Sequence, residues 1–548
     1  MTRTTHHLSL DSLRWVGLLS LSCILMIACG RTAPEGDTVS ERTAAATEVA
    51  WFEGTPDEAF AYAKAKGKPL FLYWGAEWCP PCHYLKDKIF HRPEFVGRSR
   101  EFVAVYLDGD DASAQILGEQ LDVQGYPTVM VYSAEGEELL RMPSDVPVSR
   151  YAAIMDRALR LDRPVKEILD AVLAVGPARA DEADLDVLAY YSWGQDSQID
   201  LAEEERLETF RRLWEETPGG QVGVRARFLG LYVGEAASRA RDAGEGDEPL
   251  LGEAERVRLT EAMLALLADP ALCRANVFDV TYGAEGAIGL LQPERGTGRT
   301  ELIEAWRTAA VRFESDQELS TDDRLTALAA SIDLARLETE TEADIEEAPL
   351  PPSLVERARK HVEWAVGSVS GGSELQTVLN TAAFLLDEVG LAQEAQDLLV
   401  DKLDEAEAPY YFMSWLARLK KDGGETEEAL TLYRQAWESA GGRYTRFRWG
   451  STYLRRLMDL APERAEVIET DSLIILDELL THDDAFALGN GLRLGQLEEA
   501  YREWNEDSTH DGTVGRIRDR VRSACERYPT EGEDSQRDRC LGFLEEEA

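Results

Sequence analysis

A small α/β domain followed by a large all-α helical-repeat region is the fold class that the 548-residue sequence predicts. Three observations lead there. Between about residues 51 and 165, strand-like apolar runs alternate with helix-like ones, the mark of an α/β layer arrangement. Beyond Val165, apolar residues recur at three- and four-residue spacing in successive segments broken by Gly or Pro, as amphipathic helices require. Length points the same way, because roughly 150 residues per domain implies about three or four units.

Composition fits a soluble chain with a substantial core: apolar residues make up 44% and charged residues 29%. The 103 acidic against 58 basic side chains leave a formal charge of −45, a field that repels phosphate backbones and argues against nucleic-acid partners. The basic residues are nearly all arginine.

At the N-terminus, Arg3 and Arg14 precede an apolar run from Trp15 to Ala28. That run is too short to span a bilayer comfortably and suits the core of a signal peptide. Leu25-Met26-Ile27-Ala28-Cys29 resembles a bacterial lipobox, which implies a signal peptide over 1–28 and lipidation of Cys29. The Ala/Thr-rich stretch behind it makes 29–50 a flexible tether. The expected location is the periplasmic side of a bacterial membrane, held by lipid alone, where disulfides form.

The α/β domain, 51–165, is read element by element. Pro56 to Lys66 predicts a short helix stopped by Gly67-Lys68-Pro69, and Leu70 to Trp74 a buried strand. Gly75-Ala76-Glu77-Trp78-Cys79-Pro80-Pro81-Cys82-His83 follows, with helical spacing continuing from Tyr84 to Phe90. Glu101 to Asp108, Thr128 to Ser133 and Glu137 to Met142 read as strands, Ala112 to Leu121 and Val148 to Leu161 as helices.

Strand, turn and helix thus meet at Cys79. A cysteine at a helix's first turn faces unpaired N–H groups and the positive end of the helix dipole, which favour thiolate over thiol. Cys79 is the expected nucleophile, ionisable and reachable. Cys82, one turn inward, is the expected resolving thiol. Pro80 and Pro81 tolerate a first turn because the N–H each lacks would have no intrahelical partner there. Trp78 reads as a platform covering the thiols, and Glu77 as a solvated turn residue or a proton relay.

Trp78-Cys79-Pro80-Pro81-Cys82 after a strand, with Gly125-Tyr126-Pro127-Thr128 some 45 residues later before another, resembles the thioredoxin family over roughly Trp51 to Leu161. The stretch from Phe71 through Phe90-His91-Arg92-Pro93-Glu94-Phe95 is most similar to periplasmic reductase modules of that family. The resemblance implies a cis Pro127 beside the active site, with neighbouring backbone, at Tyr126, available to an extended client peptide. It also exposes a departure: where thioredoxins commonly keep a buried aspartate, six residues before the first cysteine, this chain has Tyr73. Proton transfer would then fall to water, Glu77 or another group.

Cys79-Pro80-Pro81-Cys82-His83 also satisfies the C-x-x-C-H pattern for c-type haem, with His83 as axial ligand. The strand, Trp78 and the Tyr126-Pro127 segment have no part in haem attachment, so His83 reads as a helix-surface residue and no cofactor is expected beyond the Cys79–Cys82 couple. No histidines show metal-ligand spacing. Cys525 and Cys540 flank a polar, Pro529-containing stretch and make a plausible structural disulfide, while Cys273 reads as a buried small hydrophobe.

The rest divides into an all-α region, 166–370, and a tetratricopeptide-like region, 371–548, with an acidic, proline-containing break between Glu338 and Ser353. A 34-residue period aligns Ala383, Gly390, Ala395 and Leu399 with Ala417, Gly424, Ala429 and Tyr433, a spacing that resembles the tetratricopeptide repeat. Such a stack implies a concave face for partner peptides. Two functions follow as expectations. One is a membrane-tethered thiol-disulfide oxidoreductase acting on client proteins and recharged by an upstream membrane reductase. The other is a scaffold lipoprotein whose cysteine pair is not catalytic.

Overall fold

The computed structural model describes residues 48–144, 146–195, 198–242, 249–338, 349–530 and 535–545. The expected signal peptide and Cys29 lie outside the described residues, as do most of the tether and much of the acidic break after Glu338.

Helix α1, Pro56–Lys66, begins with a capping box in which Thr55 and Glu58 exchange side-chain and backbone hydrogen bonds, and it ends at Gly67 in the left-handed region (φ 61°). Strand β1, Leu70–Gly75, is buried along its whole length because it is central. It pairs in parallel with β2, Val103–Asp108, and antiparallel with β3, Thr128–Tyr132, which pairs antiparallel with β4, Glu138–Met142. The sheet order is β2-β1-β3-β4.

Alternation along β1 builds two cores. Phe71 and Tyr73 join Cys82, Phe90, Phe95 and Tyr151 on one face, and Leu70, Leu72 and Trp74 join Ala59, Ala63 and Ala114 on the other. The first face is covered by α2 (Pro80–Leu85), its π-helical continuation Lys86–Phe90, α3 (Pro93–Arg98) and α5 (Val148–Ala158). The second face carries α1 and α4 (Ala114–Gln120), a helix shorter at both ends than the 112–121 pattern suggests.

From Val165 onward every regular element among the described residues is helical, and the described residues form one compact unit. No helix among the described residues is long and apolar enough to cross a membrane. In the 34-residue period, Gly390 and Gly424 both take positive φ (79° and 82°) between paired helices, Gly372–Glu388 with Ala392–Lys402 and Pro409–Asp422 with Thr426–Ser439. Ala383, Ala395, Ala417 and Ala429 are fully buried where the helices meet, since a larger side chain would hold them apart. Cys525 and Cys540 form a disulfide with Cα atoms 5.6 Å apart, and Cys273 is a buried free thiol.

Candidate active site

Strand β1 delivers the chain into the turn Ala76–Trp78, and Cys79 is the N-cap of α2, with Pro80 and Pro81 opening its first turn. The Cys82 backbone N–H donates to Cys79 Sγ at 3.1 Å, a donor ready to stabilise negative charge on that sulfur. The two cysteines are joined as a disulfide with Cα atoms 5.2 Å apart. The Tyr126–Pro127 peptide bond is cis, and Tyr126 packs edge-on to Trp78 with ring centroids 5.5 Å apart. The Pro127 carbonyl accepts a hydrogen bond from Gln195 Nε2 at 2.9 Å.

Tyr73 occupies the place where an acid would sit. Its hydroxyl donates to the Cys82 carbonyl at 3.4 Å, and burial holds its phenol protonated far above neutral pH. It supplies no proton acceptor there. Glu77 is exposed, and what it gives the site is its carbonyl oxygen, which His83 Nε2 engages.

His83 is not on a helix surface. It is 0% exposed, because the helical region closes over α2. As Glu77 offers only an acceptor, Nε2 carries the proton, and Nδ1 faces Ser373 Oγ at 2.8 Å and Glu407 Oε2 at 3.1 Å. Burial lowers its pKa, opposed by the Glu77 carbonyl and the Glu407 charge. Sequence pattern could not show this, since residues 373 and 407 lie about 300 positions away.

The same closure buries the dithiol, in contrast to the reachable sulfur that the sequence suggests. Cys79 is 2% exposed, Cys82 0% and Trp78 7%. Helix Gly372–Glu388 lies on α2, and its Thr377 hydroxyl donates to the Pro80 carbonyl, between the two cysteines, at 3.1 Å. Lys88 pairs with Glu374, and the Tyr84 hydroxyl donates to Asp323 at 3.1 Å. Helix Arg443–Leu460 covers the other side. Tyr444 stacks on Tyr126 with centroids 6.1 Å apart, and the Arg448 guanidinium lies 4.0 Å from the Trp78 ring centre. Asp110 accepts from the Thr445 N–H at 2.7 Å and from its hydroxyl at 2.5 Å, while burial pushes the Asp110 carboxyl up to about 6 against those two bonds.

A cavity of about 220 Å³ opens on the seam beside Pro80 and Pro81, with Tyr84, Phe278, Tyr282 and Asp322 in its walls. The Asp322 carboxyl, which accepts from Thr381, is pushed up to about 7 by burial. Among the described residues, no group of three or more His, Cys, Asp or Glu side chains could hold a metal ion.

A four-stranded sheet, a Cys-Pro-Pro-Cys helix N-terminus and a cis-proline whose preceding Tyr126 packs on Trp78 define a thioredoxin-like domain. Residues 56–159 match the family model of a thioredoxin-like domain. Among curated proteins, the thiol:disulfide interchange protein DsbD of Cronobacter sakazakii is 35% identical over 100 residues, 18% of this chain and 16% of that protein. The disulfide bond reductase DsbH of Chlamydia pneumoniae is 29% identical over 140 residues, 23% of this chain and 79% of that protein. The chain thus spans about one sixth of the DsbD protein it matches. A solved DsbH oxidoreductase aligns at 24% identity over 24% of this chain and 96% of that one, with a TM-score of 0.20 that has no bearing on the fold.

Proposed function

We propose that the chain is a thiol-disulfide oxidoreductase that reduces or exchanges disulfides in client proteins through Cys79 and Cys82. The observation that carries this reading is the Cys79 sulfur at the N-cap of α2, receiving the Cys82 N–H. In the reduced form the Cys79 thiolate attacks a client disulfide, forming a mixed disulfide and releasing one client thiolate. The Cys82 thiolate then attacks Cys79 Sγ, the Cys79–Cys82 bond forms, and the second client thiolate leaves. The pair has lost two electrons and the client has gained them. An upstream dithiol reductase at the membrane returns the couple to the reduced form.

The similarity to DsbD and DsbH proteins supports disulfide exchange, and the lipobox-like Cys29 supports a lipid-tethered periplasmic location. Engagement of both His83 ring nitrogens supports thiol chemistry over haem attachment. In this reading the helical region, with its tetratricopeptide-like pairs, is both client platform and cover, and exchange proceeds when it withdraws from the dithiol face. Burial of Cys79 favours the second reading, a scaffold with a non-catalytic pair.

Replacement separates the two. Cys82→Ser should accumulate mixed disulfides with client proteins, and Cys79→Ser should abolish disulfide reduction. Wild-type protein that exchanges with no disulfide substrate while still binding partners would establish the scaffold.

A further inference from the structure

An island of positive charge lies beside the dithiol in a chain whose formal charge is −45. Arg448 and Arg455 are seven residues apart, two turns of helix Arg443–Leu460, and so share a face. Arg493, on helix Leu488–Trp504, lies close enough to both for its pKa to be lowered by their charges as well as by burial. None of the three forms an ion pair among the described residues. Instead Arg455 and Arg493 both donate to one neutral acceptor, Gln496 Oε1, at 3.0 and 3.2 Å. Among the described residues Arg448 donates to the Tyr444 hydroxyl, at 3.5 Å, and otherwise lies over the rings of Trp78 and Trp449. Its Nε is buried without a protein acceptor, as is that of Arg493. Each of the three side chains keeps part of its surface in solvent.

This arrangement is not explained by folding alone. Like charges gathered without a counter-charge repel, and 103 carboxylates were available in the chain to pair with them. The other arginines of the same helix are matched, Arg443 with Asp483, Arg446 with Glu478 and Arg456 with Asp459. Guanidinium groups present planar forks that fit carboxylates two bonds at a time. At physiological ionic strength the Debye length is about 8 Å, so an approaching chain meets this local island rather than the net charge of the distant surface.

We infer that Arg448, Arg455 and Arg493 form a recognition site for a carboxylate-rich segment of a client polypeptide, placed to bring that segment to Trp78 and Cys79. The assignment rests on the oxidoreductase reading for its purpose and not for its chemistry. Because Arg448 also covers Trp78, a client carboxylate that draws its guanidinium away would at the same time loosen the cover over the dithiol.

The test is binding of cysteine-free, fluorescein-labelled twelve-residue peptides to the oxidised full-length chain, followed by anisotropy. A peptide with six glutamates should bind at least tenfold more tightly than its glutamine or lysine counterparts. Arg455→Gln with Arg493→Gln should remove that preference, and Arg455→Lys with Arg493→Lys, which keeps the charge, should retain part of it should the first pair fail to fold. Equal binding of the three peptides, preference for lysine, or glutamate-peptide binding unchanged in the glutamine variant would each overturn the assignment. So would displacement of the peptide by free glutamate at the same carboxylate concentration, which would mean a small-anion site. These peptides contain no cysteine, so their binding is read independently of thiol exchange; failure of the chain to reduce any disulfide substrate in a separate assay would refute the oxidoreductase reading and leave the recognition site standing.

Discussion

Asp110, in the turn after β2, accepts both the backbone N–H and the hydroxyl of Thr445, 335 residues further along the chain. A carboxylate of the thioredoxin-like domain thereby caps the start of the helix that lies over Trp78 and Tyr126. Access to Cys79 depends on contacts of this kind.

Thr445→Val keeps the shape and removes the hydroxyl from Asp110. A hydrogen bond to a charged group contributes about 1.5–3 kcal/mol, so the cover should open about tenfold or more often. The check is alkylation of reduced Cys79 by a bulky maleimide, read by mass, with Cys273 as the buried internal control. Wild-type protein labelled as fast as the variant would show that the seam does not guard the sulfur.

Acid should strengthen the contributions of Asp110 and Asp322 to the folded state across the neutral range, against the opposite effect of His83 and His482, whose pKa values burial lowers. Asp110 and Asp322 have carboxyl pKa values raised by burial to about 6 and about 7, so the folded state holds protons that the unfolded chain gives up near 3.8. Their contribution is fully present below that lower value and is lost as pH rises through 6 to 7. Asp322→Asn, which can still accept from Thr381, should raise the melting temperature at pH 8 and raise it less at pH 5. A melting temperature below that of wild type at pH 8 would contradict the buried-acid account.

His83→Phe fills the same space but leaves the Glu77 carbonyl without its ring partner, while the Ser373 hydroxyl keeps Glu407. A buried polar group left unpaired costs about 1–3 kcal/mol, and chemical denaturation should show a loss of that order. His83→Ala should lose more, since it also opens a cavity.

Tyr73→Phe deletes a long hydrogen bond and a phenol that stays protonated near neutrality. The rate of disulfide reduction should remain within about threefold of wild type, because the net contribution of a weak neutral hydrogen bond is at most about 0.5 kcal/mol. A larger fall would assign Tyr73 a part in proton transfer.

The Cys525–Cys540 bond closes a loop with a sequence separation of 15. Replacing both with alanine should cost about 3 kcal/mol of stability near the C-terminus, measurable by hydrogen exchange, and leave Cys79 reactivity unchanged.

The α/β order, the strand that ends at the active-site turn, Cys79 at a helix start and the glycine turns at Gly390 and Gly424 were all legible in sequence, because each is set by neighbours within a few residues. Leu70 to Trp74 is apolar at every position since both its faces are buried, and Pro80-Pro81 can only open a helix. His83 was misread for the opposite reason. Its helix is amphipathic only with respect to its own sheet, and nothing near it announces Ser373 and Glu407. The role of Asp110 was likewise hidden, as its partner Thr445 is an ordinary helical threonine until the two meet.

By itself, then, the sequence determined the local arrangement on which the proposed chemistry rests: two cysteines one helical turn apart at a helix N-terminus, a nearby proline before a strand, and an acidic helical majority. Only the tertiary structure decided that the cysteine pair is covered, that His83 joins the Cys-Pro-Pro-Cys turn to the helical region, and that three arginines without carboxylate partners among the described residues gather at its edge. The physical reason is range. Capping, turn geometry and strand burial act over a few residues and leave a local trace, whereas the seam is made of single side chains hundreds of residues apart whose meeting is set by how whole helices pack.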